Sequence, residues 1–321
     1  MCKYKKGIIV ATAFIVLLSA RWGFSAETWR LGRDEQWKAV SAEDKYVLAV
    51  AEIKRQVNMG ETKAVGEAIG QLKEDFPEIA GPDLDAFLAA EVLYCEGKFT
   101  KAGRAYEKFL SAYPQSELYE GVLDRQFAIA TAYLGGQKRA VLVVFKMRGY
   151  AEGERIMDKI VERAGDSPMA MKAALAVAES YERREKFVEA YERWAEISSR
   201  WPTGKIGKDA LLSMARCKHA AYRGPRYDST HLISAKSYYE RFKMRYPRDA
   251  EDMDIDGRLE QIDEQLAYKQ FSIGEHYQQA GNKQAANLYY QMVLDDWPES
   301  TAAKMAKERM SGNLGEEEIK K

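Results

Sequence analysis

Apolar residues recur along this chain at helical spacing, and several of the runs they form stop at an aromatic residue followed by proline. Aligned on Pro77, Pro114, Pro202, Pro247 and Pro298, the position twelve residues earlier holds Val65, Ala102, Ala190, Ala235 and Ala286. Eight residues before the proline stand Ile69, Tyr106, Trp194, Tyr239 and Tyr290; five before stand Leu72, Phe109, Ile197, Phe242 and Val293. The residue just before it is Phe76, Tyr113, Trp201, Tyr246 or Trp297. At about 100° per residue these four positions fall within roughly 60° of arc, so one buried stripe repeats on one face of successive helices. A further run, AEGERIMDKIVERAG, lacks the proline, but with Gly165 as its stop Gly153, Met157, Ile160 and Ala164 take the stripe positions.

The elements follow from this pattern. Ser41 with Asp44 makes a capping-box-like start to a helix that runs to about Asn58. Gly60 breaks it, and a second helix reaches Phe76. The next pair spans 83–96 and 99–113 around Gly97; another starts near Glu117, is interrupted at Gly135-Gly136 and resumes before Gly165. The stops at 77, 114, 165, 202, 247 and 298 are 37, 51, 37, 45 and 51 residues apart, which leaves room for extra loop or helix in the longer units. Within them, GQKRAVLVVFKMRGY (136–150) reads as packed because its middle is apolar, YRGPRYDST (222–230) reads as a turn, and SGNLGEEEIKK (311–321) reads as a frayed, flexible tail. No strand series is evident.

Composition agrees with helix and adds two facts. Lys plus Arg and Asp plus Glu are equal at 49 each, so the whole chain offers no electrostatic case for nucleic acid. Residues 1–26 form a basic start, MCKYKKG, then an apolar stretch from Ile8 to Ala20 and small residues at Ala20 and Ser25-Ala26. This is the layout of a secretory signal peptide or N-terminal anchor, shorter than the roughly 20 apolar residues of a spanning helix. Its removal leaves 45 basic against 49 acidic residues, a formal charge of −4. Residues 27–41 are a lead segment, 42–310 the repeats. Cys2 precedes the apolar stretch and so is no lipobox cysteine. Cys95 and Cys217 stand about three repeats apart and are expected as two buried thiols with no disulfide between them.

Chemistry is sparse. Cys217 and His219 lie two apart on one helix and diverge, so they do not converge on a metal. Gly204-Lys205 lacks the rest of a phosphate loop. The acid pairs Glu179/Glu182 and Asp295/Asp296 read as solvated helix faces, and Tyr106, Trp194, Tyr239 and Tyr290 as inter-helix core. The expectation is no catalytic residue, no cofactor and no metal. The localized candidate is the turn after residue 221: Tyr222, Arg223, Arg226, Tyr227 and Asp228 combine aromatic anchors with fork donors beside a Gly-Pro hinge, a composition favoured at protein interfaces. The competing reading is that Tyr227 and Asp228 only seat the following helix.

The aligned positions resemble the tetratricopeptide repeat, which places small, aromatic, alanine, aromatic and proline residues at fixed offsets over about 34 residues. The last unit matches with Ile273, Gly274, Tyr277, Gly281, Ala286, Tyr290 and Pro298; an earlier one with Ala178, Tyr181, Phe187, Ala190, Trp194 and Pro202. The position five before the proline, commonly alanine in that family, is Leu, Phe, Ile, Phe or Val here. This variant, above all in 227–250 and 271–300, resembles the BamD family, also called YfiO-like, of outer-membrane assembly lipoproteins, over about residues 42–310. The resemblance implies an all-α, tetratricopeptide-like superhelix of about six helical hairpins. It also implies a non-enzymatic exported scaffold at the periplasm or the periplasmic face of the outer membrane. Its partners would be envelope proteins such as a barrel-assembly machinery, with membrane association through the N-terminus or those partners. A periplasmic adaptor for cell division or wall synthesis is the alternative, and a helical-hairpin wall enzyme the remote one.

Overall fold

The computed structural model describes residues 29–31, 37–39, 42–77, 81–140 and 146–319. The leader, Ser41 and the apolar middle of the 136–150 segment lie outside the described residues. The chain divides into two units, Met1–Ile79 and Ala80–Lys321.

In the first unit, strands β1 (Trp29–Leu31) and β2 (Trp37–Ala39) pair antiparallel, with Trp29 opposite Ala39. Helices α1 (Ala42–Met59) and α2 (Thr62–Asp75) follow, joined at Gly60 with φ +74°, a left-handed conformation that glycine adopts without strain. Ile53, Val57, Val65, Leu72 and Phe76 are buried here.

The second unit holds the other hairpins: α3 (Pro82–Cys95) with α4 (Phe99–Ala112), α5 (Tyr119–Leu134) with α6 (Tyr150–Ala164), and α7 (Pro168–Arg183) with α8 (Phe187–Arg200). Then come α9 (Gly204–Ala220) with α10 (Thr230–Arg245), a short α11 (Pro247–Asp252), α12 (Ile255–Gln279) with α13 (Lys283–Asp296), and α14 (Thr301–Ile319). Within this unit each hairpin packs on the next, and α5 also touches α7, α10 touches α12 and α12 touches α14. The fold is all-α and tetratricopeptide-like, as the stripe predicts.

The stripe is the seam. Ala102, Tyr106, Phe109, Ala190, Trp194, Ile197, Ala235, Tyr239, Phe242, Ala286, Tyr290 and Val293 are all buried. In the proline-free unit Met157 and Ile160 are buried too, and α6 ends at Gly165, whose φ is +56°. Each proline stop has the same local cause. The residue before proline is driven out of the helical region by the pyrrolidine ring. Accordingly Tyr113, Trp201, Tyr246 and Trp297 have φ between −125° and −138°, and each still donates its N–H to the carbonyl four residues back. The aromatic ring then folds onto the stripe: Phe109–Tyr113 and Phe242–Tyr246 centroids are both 5.3 Å apart.

Small residues are required where helices approach closely. A Cβ on Gly274 of α12 would stand 2.5 Å from Cε1 of Tyr290 on α13, and one on Gly153 of α6 would stand 2.9 Å from the Ala130 carbonyl of α5. The second contact explains why the degenerate unit carries glycine where four of its fellows carry alanine and one carries valine.

The long repeats differ from expectation in two places. The 136–150 segment contains a β-hairpin, β3 (Lys138–Ala140) paired antiparallel with β4 (Lys146–Arg148), where no strand was predicted. Three residues per strand are too few to display an alternating pattern. The interval from Pro247 to Pro298 is filled by α11 and by a 25-residue α12, longer than its repeat requires. Helix α14 spans Thr301–Ile319. Ala302, Ala303 and Ala306 bury its first turns, and once a helix is nucleated each further residue extends it at little cost.

Candidate functional site

The turn between α9 and α10 is built from backbone geometry. Ala221 closes α9 by donating to the Cys217 carbonyl, Gly224 takes φ +108°, and the Tyr227 N–H donates to the Gly224 carbonyl at 3.0 Å. Asp228 Oδ1 then accepts from the Thr230 N–H at 2.7 Å, fixing the first turn of α10. That bond favours the ionised form and holds the Asp228 carboxyl below its usual value. From α12, Lys269 Nζ donates to the carbonyls of Tyr227 (2.5 Å) and Pro225 (3.3 Å), so the turn is strapped to the helix behind it.

The five residues singled out by composition do not form one cluster. Asp228 is engaged with the α10 backbone, and Arg223 is exposed. Tyr227 is 54% exposed and contributes its carbonyl to Lys269. Tyr222 and Arg226 line different cavities.

The first cavity, about 540 Å³, lies among α9, α10 and the N-terminal half of α12. Arg216 and His219 reach it from α9, Tyr239 from α10, and Arg258, Gln261 and Gln265 from α12; Leu212, Met253 and Ile255 form an apolar wall. Tyr222 packs against the core beneath it, with Leu211, Leu232 and Phe242 in the same cluster. Its hydroxyl is buried and has no hydrogen-bond partner among the described residues. His219 Nε2 and Gln265 Oε1 are 3.0 Å apart, and the His219 ring stands edge-on to Tyr239 at 6.2 Å. Burial depresses the His219 pKa, and burial raises that of Tyr239.

The second cavity, about 790 Å³, is framed by Arg226 and Pro225 of the turn, by Tyr268, Phe271, Glu275 and His276 of α12, and by Met305 of α14. Lys269 lines it as well.

Cys217 and His219 do diverge. The Cys217 thiol is buried and donates to Glu182 Oε1 at 3.4 Å, toward α7, whereas His219 meets α12. Desolvation, with the Glu182 charge beside it, raises the thiol pKa well above the ordinary range, which leaves it unreactive. Cys95, expected to be buried, is half-buried on α3. Glu182 corrects the reading of a solvated acid: it is half-buried and also accepts from Trp194 Nε1 at 2.7 Å. Glu179 and Asp295 are surface residues, paired with Arg183 and Gln291. Residues the sequence did not single out are Arg216, Arg258 and Lys269. Arg216 lies on α9 and the other two on α12; Arg216 and Arg258 share the first cavity, and Lys269 lines the second.

Residues 215–320 match the family model YfiO, described as an outer membrane lipoprotein. The YfiO-matching segment takes in the end of α9 and everything after it, and therefore both cavities except Leu212. No curated protein matches the chain. Among solved structures, the C-terminal part of a TPR repeat-containing protein from Cytophaga hutchinsonii is 14% identical, covering 83% of this chain and 88% of that one with a TM-score of 0.38. PilW, titled a widely conserved type IV pilus biogenesis factor, is 15% identical, covering 81% of this chain and 97% of that one with a TM-score of 0.31. Among the described residues no helix is long and apolar enough to cross a membrane.

Proposed function

We infer that this protein is a non-enzymatic, exported scaffold that holds protein partners during outer-membrane protein assembly, in the manner of the BamD-like family. The observation that carries the reading is a coincidence of position: the segment with the YfiO pattern is the one in which α9, α10, α12 and α14 leave two open cavities on either side of a strapped turn. The aromatic stripe is spent on the seams between helices, so it does not compete for partners. Docking falls instead to Arg216, Arg258, Arg226 and the exposed Tyr227, residue types that anchor protein interfaces. The signal-like layout of residues 1–26 supports a place in the envelope, with membrane association through the N-terminus or through partners.

Affinity capture with the full chain from separated membrane and soluble fractions tests this. Recovery of barrel-assembly subunits from the membrane fraction is expected. Recovery of wall synthases or division proteins in their place would transfer the scaffold to those processes, and recovery of neither would remove the reading.

A further inference from the structure

The first cavity carries charge without a counter-charge. Arg216 and Arg258 approach it from two helices, and none of the residues lining it is acidic. Their neighbours are provided for within the fold: Lys208 pairs with Asp249 at 2.5 Å, Lys236 with Asp263 at 2.6 Å, and Lys243 with Asp256. Arg216 and Arg258 form no ion pair among the described residues, and both are exposed. Both guanidinium groups line this one cavity beside Tyr239 and His219, and their charges act on the Tyr239 hydroxyl against the effect of its burial. Gln261 and Gln265 supply amide donors, and Leu212, Met253 and Ile255 an apolar wall. A volume of about 540 Å³ exceeds what a lone ion needs and suits a side chain with part of its neighbour.

We propose that this cavity binds an acidic side chain of a partner polypeptide, its carboxylate held between Arg216 and Arg258 and an adjacent apolar residue seated against Leu212, Met253 and Ile255. Guanidinium groups meet carboxylates through paired, charge-assisted hydrogen bonds, and the apolar wall selects a polypeptide over a bare anion. The proposal rests on the scaffold reading and names the chemistry of what one part of the scaffold holds.

The test is a methyl NMR titration of the full chain, labelled at methionine and isoleucine, with the blocked peptide acetyl-Leu-Glu-Leu-amide and its Gln counterpart. The expected result is that the Met253 and Ile255 signals move together with the Glu peptide, which binds about tenfold or more tightly than the Gln peptide. Arg216→Gln and Arg258→Gln, both at exposed positions, should each weaken the Glu peptide about tenfold, and Arg258→Lys should restore part of the loss. Equal binding of the Glu and Gln peptides, shifts confined to other methyls, or shifts by inorganic phosphate that match those of the Glu peptide would each overturn the proposal. Tighter binding of the Gln peptide with a free C-terminus would assign the cavity to a chain end and overturn it too. If the wild-type chain fails to bind the Glu peptide while the double Arg216→Gln, Arg258→Gln variant still captures the wild-type partners from the envelope, the cavity assignment falls and the scaffold reading stands. If the wild-type chain captures nothing, the scaffold reading falls whatever the peptides do.

Discussion

Arg125 of α5 grips Glu91 of α3 with two nitrogens, Nη2 to Oε2 and Nε to Oε1, each at 2.8 Å. Glu91 is 1% exposed, the Tyr106 hydroxyl from α4 donates to its Oε1 at 2.5 Å, and the Arg125 guanidinium lies 4.9 Å over the Tyr94 ring. One carboxylate therefore joins three helices from two successive hairpins. Desolvation, with the neighbouring Glu91 charge, lifts the Tyr106 hydroxyl far above its ordinary pKa, so it remains a donor across the accessible pH range.

Removing the cation strands the acid. Arg125→Met should cost about 3–5 kcal/mol, because a buried carboxylate is left without its partner. The double variant Glu91→Leu with Arg125→Met should recover much of that loss. Urea unfolding of the three proteins measures both values, and a loss below about 1 kcal/mol for the single variant would contradict the network.

Gly274 and Gly66 make opposite predictions for one chemical change. A methyl group at Gly274 collides with the Tyr290 ring, which cannot swing aside because its hydroxyl is tied to Glu275 and Gln278, each at 2.7 Å. Gly274→Ala should destabilise by about 1–3 kcal/mol. Gly66 lies exposed inside α2 with nothing within 4 Å of an added Cβ, so Gly66→Ala should stabilise by about 0.5–1 kcal/mol. Thermal unfolding of the two variants should show midpoints moving in opposite directions.

The acid limb of stability should carry the signature of Glu107. Its carboxylate on α4 accepts from Arg163 at 2.8 Å and Lys159 at 2.5 Å, both on α6. The Arg163 hydrogen bond is the largest of the effects holding its pKa at about 2, against an ordinary 4.5. A depressed folded-state pKa means that the contribution is complete above about pH 4.5 and drains away as pH falls toward 2. Solvent reaches the pair, so roughly 1 kcal/mol is expected at neutral pH. Glu107→Gln should lose that amount at pH 7 and flatten the stability profile between those two values; a parallel profile for both proteins would contradict it.

Lys269 should govern the turn before α10. Lys269→Met removes the donor shared by the Pro225 and Tyr227 carbonyls, and hydrogen exchange at the Tyr227 and Thr230 amides should accelerate by about tenfold. Asp228→Ala should instead cost about 1 kcal/mol through the lost cap while leaving the strap in place. Unchanged exchange in the Lys269 variant would show that the turn holds itself.

Which parts could be read from sequence follows from distance along the chain. The seam was legible because its residues sit four, three and four apart and share a helix, and because the aromatic-proline stop acts on its own backbone. Gly165 was legible as a stop and Gly153 as a stripe position even without the proline. The cavity was not: Arg216 and Arg258 look like ordinary exposed residues of separate helices until α9 meets α12. Glu182 was misread for the same reason, since its partners Trp194 and Cys217 belong to α8 and α9. The turn was found by composition, yet its residues divide between a helix cap and two cavities, a division set by the Lys269 strap.

The β3–β4 hairpin and the α11 insertion both fall inside 51-residue intervals, and in neither does the stripe lose its register with the stop that ends the unit. Each seam is satisfied by its immediate neighbours, so the architecture tolerates splicing at the joints. A chain assembled this way can acquire a new outgrowth in one module without renegotiating the others, and those joints are the natural places to graft a reporter or to look for lineage-specific embellishment.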